Sequence, residues 1–112
     1  MSDPRAVPPG AELGLVLATA DPGDLATLAG LARAGRRRGL VVTVFAMHDG
    51  VAALAAAPSL IAALTDDGCE LIGCATSADA RGLALPALGL TVGSQDDHAA
   101  LAHRAHRLVA FT

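Results

Sequence analysis

An α/β fold built on five mainly parallel strands is the class this sequence predicts. Three observations point to it. Short apolar runs alternate with helical patterns along the chain, most runs end in a helix-start or turn signal, and the most strand-like run is apolar on both faces. Strands separated by helical connections pair in parallel through right-handed crossovers.

The elements follow in order. Residues 1–11, with three prolines and a glycine, read as a flexible leader, and residues 12–112 as a single domain. Leu13 to Thr19 is the first strand. Asp21 as N-cap and Pro22 in the first turn then open a helix that places Leu25, Leu28, Leu31 and Ala32 on one face and stops at Gly39. Leu40 to Met47, with Val41, Val42, Thr43, Val44 and Phe45 in succession, is a strand covered on both sides and is expected at the centre of the sheet. Asp49 is expected to cap the next helix, which Pro58 interrupts and which resumes from Ser59 to Asp66-Asp67-Gly68. A third strand ends at Cys74, and a short helix runs from about Thr76 to Arg81, with Gly82 as its stop. Leu83 to Leu88, which holds a proline, reads as a loop. Gly89 to Gly93 is a short fourth strand, Ser94-Gln95-Asp96-Asp97 resembles a capping box opening a helix through about Ala105, and Leu108 to Phe111 is the fifth strand.

Composition narrows the functional classes. Hydrophobic residues make up 53% of the chain and charged residues 17%, an apolar balance that a buried subunit interface would explain. No apolar run approaches the roughly 20 residues that span a bilayer, and the first residues lack the apolar core of a secretion signal, so no membrane and a cytoplasmic location are the expectations. The net charge is −3, with eight arginines and no lysine. Nucleic acid binding rests on phosphate neutralisation by a basic stripe, so it is not expected. The one basic cluster, Arg33, Arg36, Arg37 and Arg38, falls at a helix C-terminus, where cations suit the dipole. The two cysteines lie five residues apart in one strand, roughly 16 Å at the usual rise per residue, which is beyond disulfide reach and implies free thiols in a reducing compartment.

Cys74 is the residue on which chemistry converges. It sits where a strand ends and a helix begins, at the sheet edge where ligands bind and unpaired helix N–H groups point. A thiol placed there is converted more readily to its nucleophilic thiolate. His48 follows the second strand on the same edge and is a candidate proton acceptor, with Asp49 beside it. Arg81 could favour the thiolate, although seven helical residues separate it from Cys74, roughly 10 Å of rise. Cys69 begins its strand and reads as a packing residue. His98, His103 and His106 lack the i, i+4 spacing of a helical zinc pair and read as surface or interface residues, so no metal is expected. Nucleotide-binding glycine motifs, a serine nucleophile elbow and a Cys-x-x-Cys pair are all absent from the sequence.

Gly68-x5-Cys74-x6-Arg81-Gly82, with Asp49-Gly50-Val51 before it and His106-Arg107-Leu108-Val109-Ala110-Phe111 at the end, resembles the DsrE/DsrF family, including its TusD-type sulfur-relay subunits. The similarity runs from about Leu13 to Phe111. It implies a three-layer α/β/α fold, flavodoxin-like in architecture, and assembly into a homotrimer or homohexamer. In members that keep the cysteine it also implies acceptance of a sulfane sulfur as a persulfide that is passed on. Cys74 matches that cysteine, and Arg81-Gly82 the Arg-Gly that follows it.

The functional expectation is a sulfur carrier or sulfurtransferase-like protein using Cys74, needing no metal or organic cofactor and working between a sulfur donor and a sulfur acceptor protein. The alternatives are a non-catalytic oligomeric binding module using the crevice near His48, Asp49 and Cys74, and a redox sensor in which Cys74 oxidises.

Overall fold

A computed structural model of the chain describes Pro8 and residues 10–112. Most of the expected leader, residues 1–7 and 9, lies outside the described residues. The elements are β1 (Glu12–Leu17), α1 (Pro22–Arg37), β2 (Val41–Ala46), α2 (Asp49–Ala55), α3 (Pro58–Asp66), β3 (Glu70–Cys74), α4 (Ala75–Ala80), α5 (Leu85–Leu88), β4 (Thr91–Gly93), α6 (Gln95–Arg104) and β5 (Arg107–Phe111).

All four strand pairings are parallel, in the order β4-β3-β2-β1-β5, so β2 is the middle strand. This order determines which face each helix covers. The connections from β1 through β4 step in one direction, and right-handed crossovers keep their helices on one face of the sheet. The return from β4 to β5 runs the other way, so its helix α6 lies on the opposite face. The core divides accordingly. Leu15, Leu17, Val42, Val44, Ala46 and Leu71 pack against Leu28, Ala32, Val51, Leu54, Ile61, Leu64, Ala78 and Leu85 from α1 to α5. The alternate strand residues Phe45, Ile72 and Cys74 pack with Leu101 of α6. Helices on both faces complete the three layers.

Local chemistry accounts for the helix boundaries. Asp21 caps α1, its carboxylate accepting from the Asp24 N–H at 2.9 Å, with Pro22 in the first turn. The face of α1 that meets the sheet is Leu28, Ala32 and Gly35, whereas Leu31 stays 37% exposed and is not part of it. Ser94 and Asp97 form the expected capping box at the start of α6.

Two elements differ from expectation. Leu85–Leu88 is a short helical turn rather than loop, because Pro86 sits within its first turn, where a missing N–H is harmless, and Leu85 is buried against the sheet. Asp49 does not cap α2: the N-cap is His48, whose side chain makes no capping bond, and the Asp49 carboxylate turns outward to Arg81. No single helix among the described residues is long and apolar enough to cross a membrane, and α2 and α3, apolar together, meet at 86°.

Candidate functional site

Parallel pairing brings the carboxyl ends of all five strands to one edge, and there the chain opens a groove of about 410 Å³. It is lined by Met47, His48, Cys74, Thr76, Ser77, Ala80, Arg81 and Gln95. The ends of β2 and β3 supply the floor, and the starts of α2, α4 and α6 supply the walls. The approach between β1 and α2 is close: a side chain at Gly50 would run into the backbone carbonyl oxygen of Leu17, so only glycine fits.

Cys74 is the last residue of β3 and the N-cap of α4, with extended backbone angles, and it pairs in register with Gly93 of β4. It is 3% exposed. Burial alone pushes its thiol up. The backbone N–H and hydroxyl of Ser77, the side-chain amide of Gln95 and the backbone N–H of Thr76 outweigh that and hold the thiol below its ordinary value. Of these polar groups only the Gln95 amide is placed to hydrogen bond to the sulfur, at 3.7 Å; the Ser77 and Thr76 groups lie near it without making a capping bond, and charged side chains contribute little to the effect.

Ser77 connects this thiol to His48. It is 6% exposed, and its hydroxyl accepts from the His48 backbone N–H at 2.8 Å while lying beside Cys74 in the groove lining. His48 itself has φ 50° and ψ −134°, a left-handed conformation that a non-glycine residue adopts only when its surroundings hold it there. The bond from Ser77 is one such hold. The ion pair between Arg81 and Asp49 is a second, with Arg81 Nη2 donating to Asp49 Oδ1 at 2.9 Å and Nη1 to the Ser77 carbonyl at 3.0 Å. Together they fasten the end of α4 to the start of α2.

The groove therefore gathers Cys74, His48 and Arg81 from the sequence-based candidates, with Asp49 at its rim. It does not join them as expected, because the Arg81 guanidinium is held by Asp49 and the Ser77 carbonyl. Cys69 lies in the core, at the amino end of the strand. Burial, followed in size by opposing charge from Arg36 and Arg33 and support from Asp67, leaves its thiol above the ordinary value. Both cysteines are free thiols.

Two participants were not singled out from sequence. Ser77 fell only within the short helix expected from about Thr76, and Gln95 only within a capping box. Gln95 donates to Cys74 Sγ at 3.7 Å because β4 pairs with β3, which sets the first residue of α6 beside the end of β3. Register between these strands was the missing signal. His98, expected at the surface or an interface, is half-buried and stacks on Phe45, with ring centroids 5.3 Å apart and planes 16° apart. Its Nδ1 lies 3.1 Å from Gln95 Oε1. Among the described residues, no three His, Cys, Asp or Glu side chains converge as a metal-binding group.

Comparison with known proteins places this geometry in context. The crystal structure of the YchN protein of E. coli has the same fold: it superposes with a TM-score of 0.72 at 22% identity, over 91% of this chain and 99% of that one. No curated protein matches the chain significantly. The sequence profile of the DsrE/DsrF-like family matches residues 15–111, which takes in the second half of β1, the other four strands, the groove and Cys74. The chain belongs to the DsrE/DsrF-like family.

Proposed function

We propose that this protein carries sulfane sulfur on Cys74. The observation that supports the reading is that a nearly fully buried thiol lines the groove at the carboxyl edge of the sheet with the Gln95 amide donating to its sulfur at 3.7 Å, a setting that favours the thiolate despite burial. A buried cysteine that served packing alone would follow Cys69, whose thiol is pushed the other way.

The chemistry needs no group beyond the thiol. The Cys74 thiolate attacks the outer sulfur of a donor persulfide; a new S–S bond forms on Cys74, the donor S–S bond breaks, and the donor leaves as a thiolate. An acceptor thiolate then attacks the outer sulfur, and Cys74 returns as the thiolate. Each exchange moves one sulfur atom with no external oxidant or reductant. The donors around Sγ stabilise the charged form before attack, and His48 and Arg81 stand at the groove where a donor or acceptor segment would lie. The partners in this reading are a sulfur donor protein, a sulfur acceptor protein and further copies of the chain, as a homotrimer or homohexamer. Leu108 and Val109 on the edge strand β5, 40% and 36% exposed, are the apolar surface that self-association would cover. Two free thiols fit a reducing compartment such as the cytoplasm.

The test is intact-mass spectrometry after incubation with a persulfide donor. Gain of one sulfur atom by the parent and by Cys69→Ala, and none by Cys74→Ser, is the expected result. Equal loading of the Cys74→Ser variant would remove the reading.

One observation favours a second reading. At 3% exposure the Cys74 sulfur is hard for a partner's sulfur to reach, which suits a non-catalytic module that binds a partner or small ligand in the same groove. In that case Cys74→Ser leaves partner affinity unchanged and the parent gains no sulfur.

A further inference from the structure

The side-chain amide of Gln95, on an exposed residue at the wall of the groove, has partners at both its nitrogen and its oxygen. Its Nε2 donates to Cys74 Sγ at 3.7 Å and to Met47 Sδ at 3.9 Å, and its Oε1 lies 3.1 Å from His98 Nδ1. An amide oxygen only accepts, so the His98 contact is a hydrogen bond when Nδ1 carries the proton. The imidazole is stacked on Phe45, a ring with no exposed surface, and that stacking sets the plane in which Nδ1 points. An unbroken line of contacts thus runs from the buried core through His98 and Gln95 to the sulfur.

The reverse orientation of the amide would set its oxygen against the sulfur, which repels an anion there. We propose that His98 is a positioning residue for Cys74: it fixes the Gln95 amide with its N–H groups toward the sulfur, and Gln95 in turn hydrogen bonds to the thiolate. Gln95 is then a catalytic residue in its own right, since it touches the reacting atom. This inference rests on Cys74 being the reacting thiol, but its test reads the thiol and not the sulfur transfer.

The other titratable groups on the elements around the sulfur are His48 and Asp49 at the start of α2, Asp79 and Arg81 at the end of α4, Asp96 and Asp97 beside Gln95 on α6, and, at the far ends of their elements, Glu70 on β3 and His103 and Arg104 on α6. Asp49 and Arg81 are paired, and Asp97 accepts from the Ser94 N–H at 2.8 Å. A second proton on His98, at Nε2, leaves the Nδ1 donor in place, so the contact with Gln95 survives in both charge states.

The experiment is a double-mutant cycle on the thiolate titration of Cys74, followed by ultraviolet absorbance in a Cys69→Ala background. Gln95→Ala is expected to lower the thiolate population, at a pH below the midpoint, roughly three- to tenfold, as loss of one hydrogen bond to sulfur dictates. His98→Phe keeps the stack on Phe45 and removes the donor, and is expected to lower it by a smaller factor. The double variant should fall no further than Gln95→Ala alone, because His98 acts only through Gln95. Gln95→Glu, which keeps the shape and suits a helix N-terminus, should lower the thiolate population at least as far as Gln95→Ala. An unchanged titration in His98→Phe, or effects of the two single variants that multiply in the double, would overturn the proposal. Sulfur loading in the same variants separates the two ideas: an intact cycle with no loading by the parent leaves the positioning role standing and removes the carrier function.

Discussion

Replacing Ser77 by alanine removes one oxygen atom and tests two effects at once, a hydrogen bond to His48 and the polarity beside the Cys74 thiol. The hydroxyl accepts from the His48 N–H at 2.8 Å, and that N–H belongs to a residue held at φ 50°. With the oxygen gone the N–H loses its partner beside a buried position, at a cost of about 1–2 kcal/mol. The vacated space is a single oxygen atom, so a cavity adds little. Over 112 residues, an unfolding entropy of about 2.1 cal/mol/K per residue converts that loss to a fall in Tm of roughly 4–8 °C. The same variant keeps the Ser77 backbone N–H near the sulfur and loses only the hydroxyl, so the Cys74 thiol should move up toward its ordinary value without reaching it. Thermal unfolding by circular dichroism reads the first effect, and thiolate absorbance in a Cys69→Ala background reads the second. Thr76→Ala is the control. Its contribution to the sulfur comes from the backbone, which alanine retains, so neither quantity should move. A Ser77→Ala protein as stable as the parent, with an unmoved thiol, would refute the description of this hydroxyl as the joint between His48 and Cys74.

Three further outcomes follow from the same structure. Gly50→Ala should destabilise by about 2 kcal/mol, because overpacking of roughly 3 kcal/mol against the Leu17 carbonyl exceeds the ~1 kcal/mol that alanine adds in a helix. Gly30→Ala in α1, where the new methyl meets open space, should instead stabilise by about 0.5–1 kcal/mol; chemical denaturation compares the two. Glu12→Ala leaves the fully buried Thr43 hydroxyl without its acceptor at 2.7 Å and should cost about 1–3 kcal/mol, whereas Arg104→Ala breaks only a partly exposed ion pair and should cost under about 1 kcal/mol, as urea midpoints would show. The two thiols should give opposite pH dependences of stability. Cys74 is lowered in the folded state, so its contribution is full above the unfolded thiol value and is lost as pH falls through the folded one. Cys69 is raised, so its contribution is full below the unfolded value and is lost as pH rises through the folded one. Unfolding free energy measured from neutral to alkaline pH should therefore rise with pH in Cys69→Ala and fall in Cys74→Ser. Two rising slopes would contradict the assignment of Cys69, and two falling slopes that of Cys74.

Local sequence was enough for whatever depends on near neighbours in the chain. The alternation of apolar runs with capping signals determined the five strands, the start of α1 at Asp21-Pro22 and the capping box at Ser94, because a cap is a contact between residues three apart. The position of Cys74 at a strand-to-helix junction came the same way. What sequence left open depends on contacts between residues far apart in the chain. Asp49 has the right chemistry for a cap, yet Arg81, 32 positions away, offers it a charged partner, and the N-cap falls to His48. Gln95 and His98 reach the thiol only because β4 lies beside β3, and strand register is set by the packing of the whole sheet. The acidity of Cys74 shows the division most plainly. Sequence placed the thiol at the ligand-binding edge, but the hydrogen bond from Gln95 reaches it from 21 residues away, and only the folded sheet decides that it outweighs burial together with its neighbours.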